Sequence, residues 1–281
     1  MTATALLTVL SMRGCVRRSR RIWCWLAAIF FAAPLPADAA PRRVVSMNLC
    51  TDQLAMLLAD KGQLISVSDL AGDPRMSSMA DQADAFRKNH GRAEEIYLMR
   101  PDLVVAGQFT QGPTVQMLRR LGIRVEVFPP AESIASIRNE IRHMGELLGR
   151  DQAAEALIAD FDDGLKKTVS KTRRGRAALY YANGFTSGRN TLAGTILDAA
   201  GYDNVAGDFG IKDTSALPME LIVMSQPDRV ITGSKWPGQS RSEAILDHPA
   251  LKKLSFGLAE ATDRDWVCGT PFVLRAIKEL Q

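Results

Sequence analysis

Histidine is scarce in this chain. There are three in 281 residues, His90, His143 and His248, far apart in sequence. No HExxH, Walker A, GxGxxG or GxSxG motif occurs, so metalloprotease, P-loop, dinucleotide-binding and α/β-hydrolase chemistry have no local support. Cysteine is nearly as rare. Of four, Cys15 and Cys24 fall within the first 39 residues, which leaves Cys50 and Cys268. Neither has a CxxC partner, and a zinc site needs more ligands. The chain also lacks a membrane-length apolar run. Ile22–Ala33 is 12 residues, against about 20 for a spanning helix. A basic surplus is missing too. Residues 1–39 hold five of the 35 lysines and arginines and one of the 31 acids, so the remainder is neutral. No nucleic-acid-binding face is implied.

What is present begins with a processing pattern. Arg13, Arg17, Arg18, Arg20 and Arg21 precede the apolar run, Pro34 and Pro36 break it, and "ADAA" supplies small residues. That order predicts a secretory signal over residues 1–39, cleaved after Ala39, and a periplasmic mature chain with no membrane span. In an exported protein Cys50 and Cys268 are able to pair. A bond between two halves would restrict opening, so free thiols are expected.

A long-range repeat organises the mature chain. "EEIYLMRPDLVVAG" and "ELIVMSQPDRVITG" share E-x6-P-D-x-V-[V/I]-x-G. Glu94, Pro101, Asp102 and Gly107 match Glu220, Pro227, Asp228 and Gly233, each 126 residues later. That offset is too long for a solenoid and points to two similar lobes. Around each copy short apolar strands alternate with helices, the signature of an α/β lobe with a mainly parallel sheet. Residues 70–91 read as polar and irregular. Between the lobes, Ile134, Ile137, Ile141 and Met144 lead into Ala154, Leu157, Ile158, Phe161, Leu165 and Val169 at three- and four-residue steps without proline. This predicts one long helix over 133–172, with a two-helix hairpin broken at "LGRDQ" as the alternative. The expected layout is an N-terminal Rossmann-like lobe at 40–132, the connecting helix, and a C-terminal lobe at 173–281. A ligand cleft would lie between them, at the carboxyl ends of the strands.

"RRVVSMN", "AEEIYLMRPDLVVAG", "GFTSGRNTLAGTILDAAGYDNVAG" and "PMELIVMSQPDRVITG" resemble the periplasmic substrate-binding proteins of ABC importers for iron-siderophores, haem and corrinoids. The resemblance covers about residues 41–281, and the "FTSG" loop is like that of the vitamin B12 binders. It implies two α/β lobes joined by a rigid helix and a metal-chelate ligand without a resident cofactor. It also implies delivery to an inner-membrane ABC permease dimer with its ATPase. Glu94 and Glu220 match the family's docking glutamates. The tryptophans that stand six residues before those glutamates in vitamin B12 binders are Lys88 and Thr214 here.

Loops that follow strands supply the candidate ligand contacts: Asn48, Phe109 and Thr110, then Phe185, Thr186 and Arg189, then Trp236 and Trp266. Aromatic rings offer flat apolar area, and Asn and Thr orienting hydrogen bonds. Arg189 and Lys235 are candidates for ligand carboxylates or phosphate. His90, just before the first docking helix, is a candidate axial ligand to iron or cobalt. Other classes remain open: a bilobal cleft enzyme such as a metal-dependent hydrolase or chelatase, or a periplasmic ligand sensor. No clustered ligands or acid/base pair mark an enzyme.

Overall fold

The structure, a computed structural model, describes residues 39–110, 112–238, 240–253, 258–261 and 263–281, with the backbone alone for 258–260. Apart from Ala39, the expected signal segment lies outside the described residues. The first lobe runs β1 (Val44–Ser46), α1 (Leu49–Leu58), β2 (Leu64–Ser68), α2 (Ala80–Ala83), β3 (Arg87–Asn89), α3 (Ala93–Leu98), β4 (Leu103–Gly107), α4 (Gly112–Arg120) and β5 (Val125–Phe128). Its five strands are all parallel, in the order β3-β2-β1-β4-β5. A parallel sheet must be covered on both faces, and the strands are apolar on both. Val44, Leu103 and Val105 face α1, while Val45, Val104 and Ala106 face the side of α3 and α4.

The second lobe runs β6 (Gly175–Leu179), β7 (Phe185–Ser187), α7 (Leu192–Ala199), β8 (Tyr202–Asn204), β9 (Thr214–Ala216), α8 (Met219–Ser225), β10 (Arg229–Gly233), α9 (Pro249–Lys253), β11 (Leu258–Ala261), α10 (Asp263–Trp266) and α11 (Val273–Glu279), with α5 (Ile134–Leu148) and α6 (Asp151–Thr168) between the lobes. Its main sheet is parallel, in the order β11-β10-β6-β8, with β7 and β9 as a separate antiparallel ribbon.

The single helix expected over 133–172 is replaced by two. Gly149 ends α5 in the left-handed region at φ 67°, and the chain reverses. Arg138 meets Asp162 and Arg142 meets Glu155, both at 2.7 Å, so the helices run antiparallel. The turn is tight enough that a Cβ on Gly145 would lie 2.4 Å from the Ala154 methyl. The periodic apolar stripe was real, but a left-handed glycine outweighed it. The hairpin still sits between the lobes, with α5 against α1 and α6 against α11. Ile137, Ile141 and Met144 join Ile158 and Phe161 in one core that continues into both lobes.

The expectation of free thiols is corrected as well. Cys50, in the first turn of α1, and Cys268, just after α10, form a disulfide with Cα atoms 5.1 Å apart. Free thiols would be needed only if the halves had to swing apart. The continuous core through the hairpin already holds them, so the bond removes little motion that the fold would otherwise permit. Two smaller departures follow from weak local signal. β3 lies in the stretch read as irregular, because Arg87–Asn89 has no apolar period. The stretch "SEAILDHPALKKL" (242–254) has helical spacing, but among its described residues it forms a short 3-10 turn and α9.

The repeat has a structural explanation for most of its residues. Asp102 accepts the backbone N–H groups of Arg42 and Arg43 at 2.9 Å, and Asp228 accepts that of Arg176 at 2.7 Å. Each aspartate therefore ties its strand to the start of the neighbouring one. Arg43 donates to the carbonyl of Met99, and Arg176 to that of Ser225, closing the ends of α3 and α8. Arg100 and Gln226, also 126 apart, both hold φ near +48° (49° and 47°) before the proline. The glutamates take no part. Glu94 and Glu220 are exposed, and neither has a hydrogen bond or ion pair among the described residues.

Candidate functional site

The carboxyl ends of β1, β4 and β5 form one wall of a cavity of about 260 Å³ between the lobes. Asn48, Gln108, Phe109 and Phe128 come from the first lobe, Val267 and Gly269 from the second, and Glu140 from α5. A second hollow of about 280 Å³ shares Asn48 and Phe109 and extends past Ser68, His90 and Thr110. Phe109 is 83% exposed and stands between the two. Asn48 is held in place as the N-cap of α1, its Oδ1 accepting from Cys50 N at 3.0 Å. Gly107 permits this approach, since a Cβ there would lie 2.7 Å from Asn48 Cγ. Thr110 Oγ1 accepts from Gly107 N.

Trp236 of the second lobe lies under the Arg75 guanidinium of the first, 4.2 Å from the ring centroid, in a contact between the lobes. Arg75 is also held by Asp73, at 2.7 Å. Ser78 donates to Asp265 Oδ1 at 2.5 Å, a further contact between the lobes. Phe185 is exposed, just beyond the carboxyl end of β6.

Other expected contacts lie elsewhere. Thr186 is fully buried, its hydroxyl donating to Leu179 O at 2.7 Å. Trp266 is buried in the core and lines neither cavity. Arg189 borders a separate hollow of the second lobe with Thr195, Tyr202 and Lys212. Lys235 is paired with Asp247 at 2.6 Å. His90 lines the second hollow, but its ring lies 3.5 Å from Glu95 and its backbone N–H donates to the same carboxylate. Among the described residues no cluster of three or more His, Cys, Asp or Glu is placed to hold a metal ion.

The residue that sequence reasoning missed is Glu140. It is 7% exposed and lines the cavity, and its Oε1 is buried without a hydrogen-bond partner. Burial alone pushes the carboxyl up from 4.5 to about 8. The available signal was a glutamate on the apolar face of α5, next to Ile137, Ile141 and Met144. Behind the second hollow, Asp52 is also buried. Desolvation raises it to about 6, against hydrogen bonds from Ser46 and Ser68 that lower it.

A two-lobed α/β protein with a cleft at the carboxyl ends of its strands is a ligand-binding architecture. The chain belongs to the periplasmic binding protein family, whose profile matches residues 44–258. It is 32% identical over 204 residues to the cobalamin-binding protein of Halobacterium salinarum, a match covering 70% of this chain and 55% of that protein. The chain thus spans about half the length of the curated relatives it matches. In fold it is similar to a periplasmic haem-binding protein of Pseudomonas aeruginosa (TM-score 0.68, 20% identity, covering 85% of this chain and 91% of that one). The periplasmic vitamin B12 binding protein of Vibrio cholerae is another such neighbour (TM-score 0.63, 16% identity, 86% and 95%). Among the described residues no helix is long and apolar enough to cross a membrane.

Proposed function

We propose that this chain is an exported, non-enzymatic binding protein. It captures a metal chelate between its lobes and delivers it to an inner-membrane ABC permease dimer with its ATPase. The observation that carries this reading is the matched pair of idle glutamates. The repeated Pro-Asp-x-Val skeleton has structural work in both lobes, but Glu94 and Glu220 have none, and both remain exposed in the first turn of equivalent helices. Four residues on, Leu98 and Met224 are also matched and are 77% and 75% exposed. Each lobe therefore presents a carboxylate beside an apolar side chain, which suits a pseudo-symmetric partner offering arginines. Arginine binds carboxylate in a bidentate fork that fixes orientation. Phe109, Phe185 and Trp236 are the proposed aromatic ligand contacts, with Asn48 and Thr110 for orientation. The mature start after Ala39 and a periplasmic location belong to the same proposal.

The test is a double variant, Glu94→Ala with Glu220→Ala, assayed for ligand affinity in isolation and for transporter-coupled uptake. Affinity should stay near parental and uptake should fall. Exposed pairs are individually worth about 0–1 kcal/mol, so each single variant should show a smaller loss than the double. Lost affinity in a folded double variant would move the carboxylates into the ligand site. Unchanged uptake would leave them as helix-terminal charges.

A further inference from the structure

Glu140 is the buried ionisable group that neither folding nor docking explains. It belongs to α5, packs among Ile137, Ile141 and Met144, and opens onto the cavity between the lobes. Neither carboxyl oxygen has a hydrogen bond or ion pair among the described residues. A desolvated acid without a partner costs stability, so its place in the lining of a cavity calls for a ligand group. We propose that the Glu140 carboxyl is a recognition group of the cleft, hydrogen-bonding a carboxamide arm on the periphery of the bound chelate. This rests on the binding-protein reading above and names the ligand chemistry of that same cleft.

Three observations favour a carboxamide. First, the described residues lining the two hollows include no lysine or arginine. Lys235 is taken by Asp247, and Arg189 borders another hollow. A carboxylate-bearing ligand would find no cation there to offset its desolvation. Second, the acid is neutral near pH 7, because burial pushes it up to about 8. A neutral carboxyl presents an O–H donor or a carbonyl acceptor, and either complements a carboxamide, which carries both a C=O and an N–H. An ammonium or guanidinium would need three to five acceptors. The wall supplies few: Thr51 Oγ1 already donates to Asn48 O, Asn48 Oδ1 is used by Cys50 N, Gln108 offers one side-chain carbonyl, and the rest is mainly Leu54, Phe109, Phe128 and Val267. Third, the size fits an arm. At about 260 Å³ the cavity falls below the roughly 300–1,000 Å³ of a whole small-molecule site. The body of the chelate would lie outside it, against Phe109.

The experiment uses the mature protein with three probes: cyanocobalamin, which carries primary carboxamide arms, hemin, which carries carboxylates, and a ferric hydroxamate. Parent, Glu140→Gln and Glu140→Leu are compared by calorimetric titration at pH 7, with circular dichroism to confirm folding. Parent should prefer the amide-bearing probe. Glu140→Leu, a volume-compatible change on an apolar helix face, should weaken it at least tenfold. Glu140→Gln keeps a donor and an acceptor and should restore affinity to within about threefold of the parent, given neutral hydrogen bonds of similar strength. Equal binding by Glu140→Leu would overturn the inference. So would a loss in Glu140→Gln as large as that in Glu140→Leu, which would indicate a cationic arm. A parent that binds hemin or the ferric hydroxamate but not cyanocobalamin would overturn the inference and leave the binding-protein reading intact. A parent that binds none of the three would overturn both.

Discussion

Glu140 should make the unliganded protein less stable as pH rises, and Glu140→Gln should remove that dependence. The carboxyl is held at about 8 in the folded chain against an ordinary 4.5. A raised carboxyl means that the folded state binds the proton more tightly than the unfolded state does. Its stabilising contribution is complete below pH 4.5 and is lost as pH rises through 8. At 1.36 kcal/mol per unit of pH, the span from 4.5 to 8 sets a ceiling of about 5 kcal/mol. Water entering through the open side of the cavity screens the charge, so about 2–3 kcal/mol is expected at pH 8. At pH 5 the same linkage leaves less than about 1 kcal/mol. Urea unfolding of mature parent and Glu140→Gln protein, followed by tryptophan fluorescence at pH 5 and pH 8, reads the difference directly. The variant should gain stability over the parent mainly at pH 8. An offset of equal size at both pH values would refute the argument, because amide and carboxyl would then differ in packing and not in charge.

Two further outcomes follow from the cleft and its tether. Replacing Cys50 and Cys268 with serine should cost about 2–4 kcal/mol, the usual contribution of a disulfide that closes a long loop. If the core through the hairpin is what sets the lobe arrangement, the radius of gyration in solution scattering should barely change, and a change of several ångströms would show that the disulfide had been holding the lobes. Phe109→Ala, Phe185→Ala and Trp236→Ala should each weaken ligand binding by about 1–3 kcal/mol through lost apolar contact. Parental affinity in all three would place the ligand elsewhere, and Trp236→Ala additionally removes the contact with Arg75 between the lobes.

The sequence by itself determined the two-lobe α/β plan and the matched glutamates. Both are written in local pattern: apolar runs of strand length, glycines and prolines at the turns, and one skeleton copied 126 residues apart. Helix and strand periods depend on neighbours within a few residues, so they survive without tertiary context. Only the tertiary structure decided the rest. Gly149 was visible, but whether it merely interrupts α5–α6 or reverses it depends on Gly145 meeting Ala154 and on the ion pairs across the hairpin. Cys50 and Cys268 are 218 residues apart, and their pairing requires two lobes to be docked before the distance exists. Thr186 and Trp266 follow strands or open loops as ligand contacts should, yet they face the core, because the direction of a side chain is set by what packs beside it. Glu140 reads as one more helical acid. Its meaning comes from burial beside a cavity that α1, the β5 loop and the second lobe line together only on folding.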